Sequence, residues 1–127
     1  MSLTVEKKNL IVITGTGLIS KDEFITAYDE AISLPEFSAG DPLLFDLKDA
    51  TLQDLSFQDC SDIAKHEDIR RQERGAGRCA LVVSDNSDFG VSRIIQAFRD
   101  YQFEEAQVSV FKDMDTAVYW LNGTRQL

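Results

Sequence analysis

A chain of 127 residues, 43% of them hydrophobic, has the material for one domain with its own core and little room for a second. Its formal net charge of −9, from 22 acidic and 13 basic side chains, argues against nucleic-acid binding and against a polybasic membrane contact. The longest apolar runs, Leu10–Ile13 and Ala80–Val83, are far too short to span a bilayer, so the chain is not expected to be transmembrane. The opening MSLTVEKKN has no apolar signal region, and a cytoplasmic protein is expected. In that setting Cys60 and Cys79 read as buried free thiols.

The first unit begins with Leu10–Thr14, a buried strand by its length and β-branching. Thr4–Lys7 alternates weakly and would turn back onto it through Lys8-Asn9. Gly15-Thr16-Gly17 is expected to end the strand. Ser20 then opens a helix, with Glu23 completing a capping box and Phe24, Tyr28, Ala31 and Ile32 on one face; Pro35 stops it. The second unit starts after Pro42 with Leu43–Phe45, a short strand ending at Asp46. Ser56 is the expected cap of the next helix, Asp59 takes the capping-box position, and Phe57, Cys60 and Ala64 form its stripe. Beyond His66 the stripe fades, and Gly75-Ala76-Gly77 ends the element.

Ala80–Val83 is a fully buried strand by composition, followed by the polar segment Ser84–Asp88 and a helix with Val91, Ile94, Ile95 and Phe98 at helical spacing. Val108–Phe111 is the last strand, and Asp113 caps a helix whose face is Met114, Ala117, Val118 and Leu121, with Gly123 just past its end. Four strand–helix units in succession imply right-handed crossovers. The expected fold is therefore α/β, a β-α superhelix on a mostly parallel sheet of about five strands, with an antiparallel N-terminal edge and four helices.

Ligands of such sheets bind at the strands' carboxyl ends. That edge would gather Gly15–Gly17, Asp46, Asp49, Ser84–Asp88 and Lys112–Asp113. The Gly15-Thr-Gly17 turn lacks the third glycine of a dinucleotide fingerprint. The acidic residues that a phosphoryl-transfer centre needs after the first strand are missing, and Asp88 and Asp113 read as helix caps, so neither cofactor nor metal is expected. His66, the one histidine, sits in a charged stretch, and neither cysteine has a histidine beside it. No catalytic residues are expected and the chain is not read as an enzyme. Lys65, Arg70, Arg71, Arg74 and Arg78 form a basic cluster that reads either as an anion site or as a helix with internal ion pairs.

The segment Ala80-Leu-Val-Val-Ser-Asp-Asn-Ser-Asp-Phe-Gly-Val-Ser-Arg93, with Val108-Ser-Val-Phe111 and Asp115-Thr-Ala-Val-Tyr-Trp-Leu121, resembles the bacterial SpoIIAA-like family. That family is similar to STAS domains, the anti-sigma-factor antagonists, and more distantly to the CRAL-TRIO lipid carriers. The resemblance implies one domain over residues 1–127 and a non-catalytic regulatory role through a protein partner. In STAS antagonists a serine at a helix start, in an Asp-Ser-Ser-Gly-like motif, is phosphorylated by a partner kinase. Here the comparable stretch is Asp54-Leu55-Ser56-Phe57, so Ser56 takes that place and Phe57 replaces the glycine.

The alternative is a carrier or sensor of a small amphipathic or anionic ligand. Its site would be Ser84, Asp85, Asn86, Asp88, Phe89 and Gly90, with Arg93 as cationic anchor and a helix N-terminus offering N–H groups. The rival role for Arg93 is structural, paired with Asp46, Asp85 or Asp88. Tyr119 and Trp120, flanking the last helix's stripe, lead us to expect a homodimer unless Trp120 covers the sheet's rim.

Overall fold

The computed structural model describes residues 3–7, 10–102 and 107–122. Five strands run in chain order across one sheet: β1 (Leu3–Lys7), β2 (Ile11–Leu18), β3 (Leu43–Thr51), β4 (Arg78–Val83) and β5 (Gln107–Phe111). β1 is antiparallel to β2 and every other pairing is parallel. The helices are α1 (Lys21–Ile32), α2 (Phe57–Ile69), α3 (Arg71–Arg74), α4 (Asn86–Gln102) and α5 (Met114–Asn122). The single turn α3 is additional to the four expected helices: the polar stretch after His66 makes a short second helix, not a frayed end. The Lys8-Asn9 turn and Gly123 lie outside the described residues, and so does the side chain of Phe98.

Alternation along the strands divides the core between the two faces of the sheet. Ile11, Ile13, Leu43, Phe45, Leu47, Cys79, Leu81 and Val83 meet Phe24, Tyr28, Ala31, Ile63 and Ile95, so α1, α2 and α4 cover one face. Leu44, Ala80 and Val82 meet Ala117 and Leu121, so α5 covers the other. Phe24 and Phe45 stack with ring centroids 4.8 Å apart. Burial of each is worth roughly 2–3 kcal/mol. Both long caps form as the spacing predicts: Ser20 and Glu23 bond reciprocally at 3.1 and 3.2 Å, and Ser56 and Asp59 at 3.0 Å each way.

Two strands are longer than their sequence suggests. Gly15–Gly17 does not end β2, which continues to Leu18, and β3 runs past Asp46 to Thr51. Between Thr14↔Asp46 and Thr16↔Asp49 the register shifts: β3 advances three residues while β2 advances two. Gly15 sits at this bulge because a Cβ there would lie 2.8 Å from Leu3 and 2.9 Å from Leu47. Beyond it, β2 and β3 project past β4, whose last residue, Val83, pairs with Leu47.

At the opposite end of the sheet Arg74 is the strut. Its buried guanidinium donates to the carbonyls of Asp41 at 2.6 Å and Arg78 at 3.0 Å and lies 5.9 Å from the Phe37 ring centroid. Gly75, at φ +72°, lets the chain leave α3 so closely that an added Cβ would sit 2.4 Å from the Gly40 nitrogen.

Candidate functional site

The carboxyl ends of β3 and β4 bring two segments together. Ser84 follows β4, and its hydroxyl donates to the Lys48 carbonyl at 2.8 Å. Asp85 accepts from the Asp88 amide at 2.7 Å, so Asp85 caps α4 and Asp88, expected as a cap, lies inside the first turn. Asp88 is 0% exposed. Its Oδ1 accepts from the buried Leu52 amide at 2.8 Å and from the Thr51 hydroxyl at 3.3 Å, pinning the segment after β3 to the start of α4. Its Oδ2 has no hydrogen-bond partner, nor has the Oγ of Ser92, one helical turn on and equally buried.

Asn86 to Gly90, expected as loop, form the first turn and a half of α4. The exposed Asn86 carbonyl accepts from the ammonium of Lys112, which also stands 5.2 Å from the centre of the half-buried Phe89 ring. Gly90 is exposed, with open space where a Cβ would be. Arg93 is exposed and pairs with none of Asp46, Asp85 or Asp88. Those carboxylates are engaged by backbone amides: Asp46 accepts from the Lys48 amide at 3.3 Å, Asp85 caps, and Asp88 holds Leu52. The cation that reaches this segment is Lys112. Its position directly after β5 was the signal for it, since every residue leaving a parallel strand arrives at this edge.

Ser56 stands at the start of α2 with its side chain exposed and its oxygen accepting from Asp59. Phe57 does not join the buried stripe; it is 68% exposed, and the stripe is Cys60, Ile63, Ala64 and Glu67. The first helical residue points away from the sheet, whereas the residues three and six further on face it. Leu18, at the end of the projecting β2, is 51% exposed. It escaped the sequence reading because the strand was expected to stop at the glycines before it.

His66 is a clasp. A carboxylate only accepts, so the imidazole Nε2 donates to Asp29 at 2.7 Å, and Arg70 donates to the same oxygen at 2.7 Å, joining α2 to α1. The four arginines of the basic cluster are likewise engaged within the fold, while Lys65 is exposed. Arg70 also binds Glu73, Arg71 lies 3.6 Å from Asp68, Arg74 is the buried strut, and Arg78 donates to the Trp120 carbonyl while stacking 4.8 Å from the Trp120 ring. Trp120 in turn covers the rim against Phe111, with centroids 5.6 Å apart. Both cysteines are buried, and neither is in a disulfide. Burial, reinforced by the Asp59 carboxylate, pushes the Cys60 thiol up to about 11, where it is no nucleophile at neutral pH. Among the described residues no three His, Cys, Asp or Glu side chains gather as a metal site, and no helix is long and apolar enough to cross a membrane.

The strand order, the antiparallel first strand and the three-against-one placement of the long helices define an α/β domain of the SpoIIAA-like fold. A solved structure of an uncharacterized protein of the DUF3478 family with a SpoIIAA-like fold, from Shewanella loihica PV-4, superposes with a TM-score of 0.57. The match covers 94% of this chain and 91% of that one at 16% sequence identity, a likeness of fold. No family model matches the sequence, and no curated protein matches it.

Proposed function

We propose that this domain is a non-catalytic regulatory module that works by binding another protein through the start of α2. The observation that carries this reading is the exposure of Phe57, 68%, directly beside the exposed cap Ser56. A phenylalanine that is 68% exposed at a helix start forgoes part of the roughly 2 kcal/mol of burial that a partner would recover. The chemistry of the interior agrees: the histidine is engaged by Asp29, and the Cys60 thiol is buried. In the STAS antagonists that the sequence resembles, the serine in the place of Ser56 is modified by a partner kinase. The same face of this chain presents a reachable hydroxyl. The test is a photo-crosslinking amino acid at position 57 of the full chain, in its own host, against the same probe at Glu36 as control. A discrete heteromeric adduct from position 57 alone is expected. No adduct, or equal labelling from both positions, would overturn the reading.

The carrier alternative has one observation in its favour. Arg93 is exposed, and among the described residues no carboxylate pairs with it. Native mass spectrometry of freshly purified protein decides it. A retained small anion that is lost in Arg93→Ala, without change in melting temperature, would establish the carrier role over the protein-binding one.

A further inference from the structure

The projecting end of β2 and the first turns of α2 form one surface. Leu18 pairs with Thr51, the Ile19 amide donates to the Thr51 carbonyl at 3.1 Å, and three residues after Leu18 the Lys21 ammonium meets Asp62 of α2 at 3.3 Å. This surface carries the exposed apolar side chains Leu18 and Phe57. Residues 16–23 and 49–62, which build it, hold six carboxylates and one cation, Lys21, with Lys48 and Lys65 at the borders. Three of the six act within the fold: Glu23 and Asp59 complete capping boxes, and Asp62 holds Lys21. Asp22, Asp49 and Asp54 are exposed, and among the described residues no cation stands within ion-pair distance of them.

We propose that this surface takes a cationic protein segment with an apolar anchor, such as the basic amphipathic face of a helix. The proposal rests on the reading of this end as a docking face and adds the chemistry of what docks. Two exposed apolar side chains on segments rich in exposed carboxylates call for the complement, an apolar contact flanked by Lys or Arg. The anchor supplies most of the affinity, and the charges steer the encounter and reject acidic partners. A second copy of the chain, itself at −9, would bring the same acidic rim onto this one and is disfavoured by like-charge repulsion. Lys21 does not alter that balance, because Asp62 already neutralises it.

The test is fluorescence anisotropy of three dye-labelled peptides added to the intact chain: a leucine–lysine amphipathic helix, its leucine–glutamate counterpart, and oligolysine. The leucine–lysine peptide should bind, with affinity falling as salt rises from about 50 to about 200 mM, because the Debye length shortens over that range. Phe57→Ser should weaken it about tenfold or more with net charge unchanged, and Leu18→Ser should act in the same direction; both sites are exposed, so unaltered thermal melting confirms the folded state. Asp49→Asn with Asp54→Asn should weaken binding at low salt and much less at high salt. Equal binding of the leucine–glutamate peptide would overturn the proposal. So would oligolysine matching leucine–lysine, or a Phe57→Ser variant that binds as before, since either means charge without a docking surface. The crosslinking experiment separates this failure from that of the docking reading itself. An adduct from position 57 whose captured segment is acidic, or is a second copy of this chain, leaves a docking face and overturns the cationic partner; no adduct removes both.

Discussion

Replacing Asp88 tests whether the two carboxyl-end segments are held together by a hydrogen-bond acceptor or by a charge. In the fold, Asp88 Oδ1 takes the Leu52 amide at 2.8 Å and the Thr51 hydroxyl at 3.3 Å, and both Asp88 and Leu52 are fully buried. Asp88→Ala leaves the Leu52 N–H in the interior without an acceptor, a loss of about 1–3 kcal/mol. Relief of the unpartnered Oδ2 offsets part of this, so we expect a net loss of about 2 kcal/mol. Asp88→Asn behaves differently. It keeps the accepting oxygen and places an NH₂ where Oδ2 stood, one turn from the equally unpartnered Ser92 hydroxyl on the same helix face. That variant should stay within about 0.5 kcal/mol of the parent, as expected when hydrogen-bond partners are conserved. At about 3–5 °C per kcal/mol for a domain of this size, thermal melting should fall by about 6–10 °C for Ala and hardly at all for Asn. Amide hydrogen exchange supplies a local reading, with protection of Leu52 lost in the Ala variant and retained in Asn. If Asn melts as low as Ala, the acceptor is not what matters, and the stabilisation comes from negative charge in the first turn of α4.

Two further predictions concern the frame. Gly75→Ala forces a side chain into φ +72° with its Cβ 2.4 Å from the Gly40 nitrogen, whereas Gly90 is helical and has nothing within 4 Å. Urea unfolding should show Gly75→Ala destabilised by about 2 kcal/mol or more and Gly90→Ala stabilised by about 0.5–1 kcal/mol; two equal effects would show that close approach at Gly75 is not what selects glycine there. Burial raises the Cys60 thiol from its ordinary 9.0 to about 11. The unfolded chain therefore releases this proton first as pH rises, so the thiol's contribution is fully present below about pH 9 and is lost as pH climbs through about 11. Between about pH 8 and about pH 10.5 the unfolding midpoint should fall further for the parent than for Cys60→Ala, and identical falls would refute the assignment.

The order of elements was legible because each strand–helix unit announces itself twice, by an apolar run and by a cap. Ser20 with Glu23 and Ser56 with Asp59 form the predicted boxes, and the face Phe24, Tyr28, Ala31, Ile32 is buried as its spacing requires. Strand length was not legible. Gly15 and Gly17 look like punctuation in a one-dimensional reading, yet Gly15 is there because Leu3 and Leu47 press on it from neighbouring strands, a contact between residues far apart in sequence. The continuation of β2 to Leu18 depends on pairing with β3 across a bulge, which no local pattern encodes. The basic cluster divides: Arg70–Glu73 and Arg71–Asp68 are internal ion pairs that the spacing allows, whereas the partners Asp29, Asp41 and Trp120 lie far away in sequence.

The residues of the candidate sites divide along the same line. That Ser56 would sit at a helix start was readable from spacing alone. That Phe57 would face water was not, because its hydrophobicity argued for the stripe, and only the placement of α2 against the sheet decides which of the first four residues turns inward. Arg93, flanking the apolar stripe of α4, is exposed and pairs with none of Asp46, Asp85 or Asp88, while Lys112 arrives from the next strand in the sheet and meets Asn86. Proximity in a parallel sheet is set by which strand is adjacent, not by which residue comes next. The buried Asp88 makes the consequence concrete: through the Leu52 amide it fixes the segment that leads to Ser56 and Phe57, so the start of α4 positions the face at the start of α2 even though the two are separated by a whole strand–helix unit.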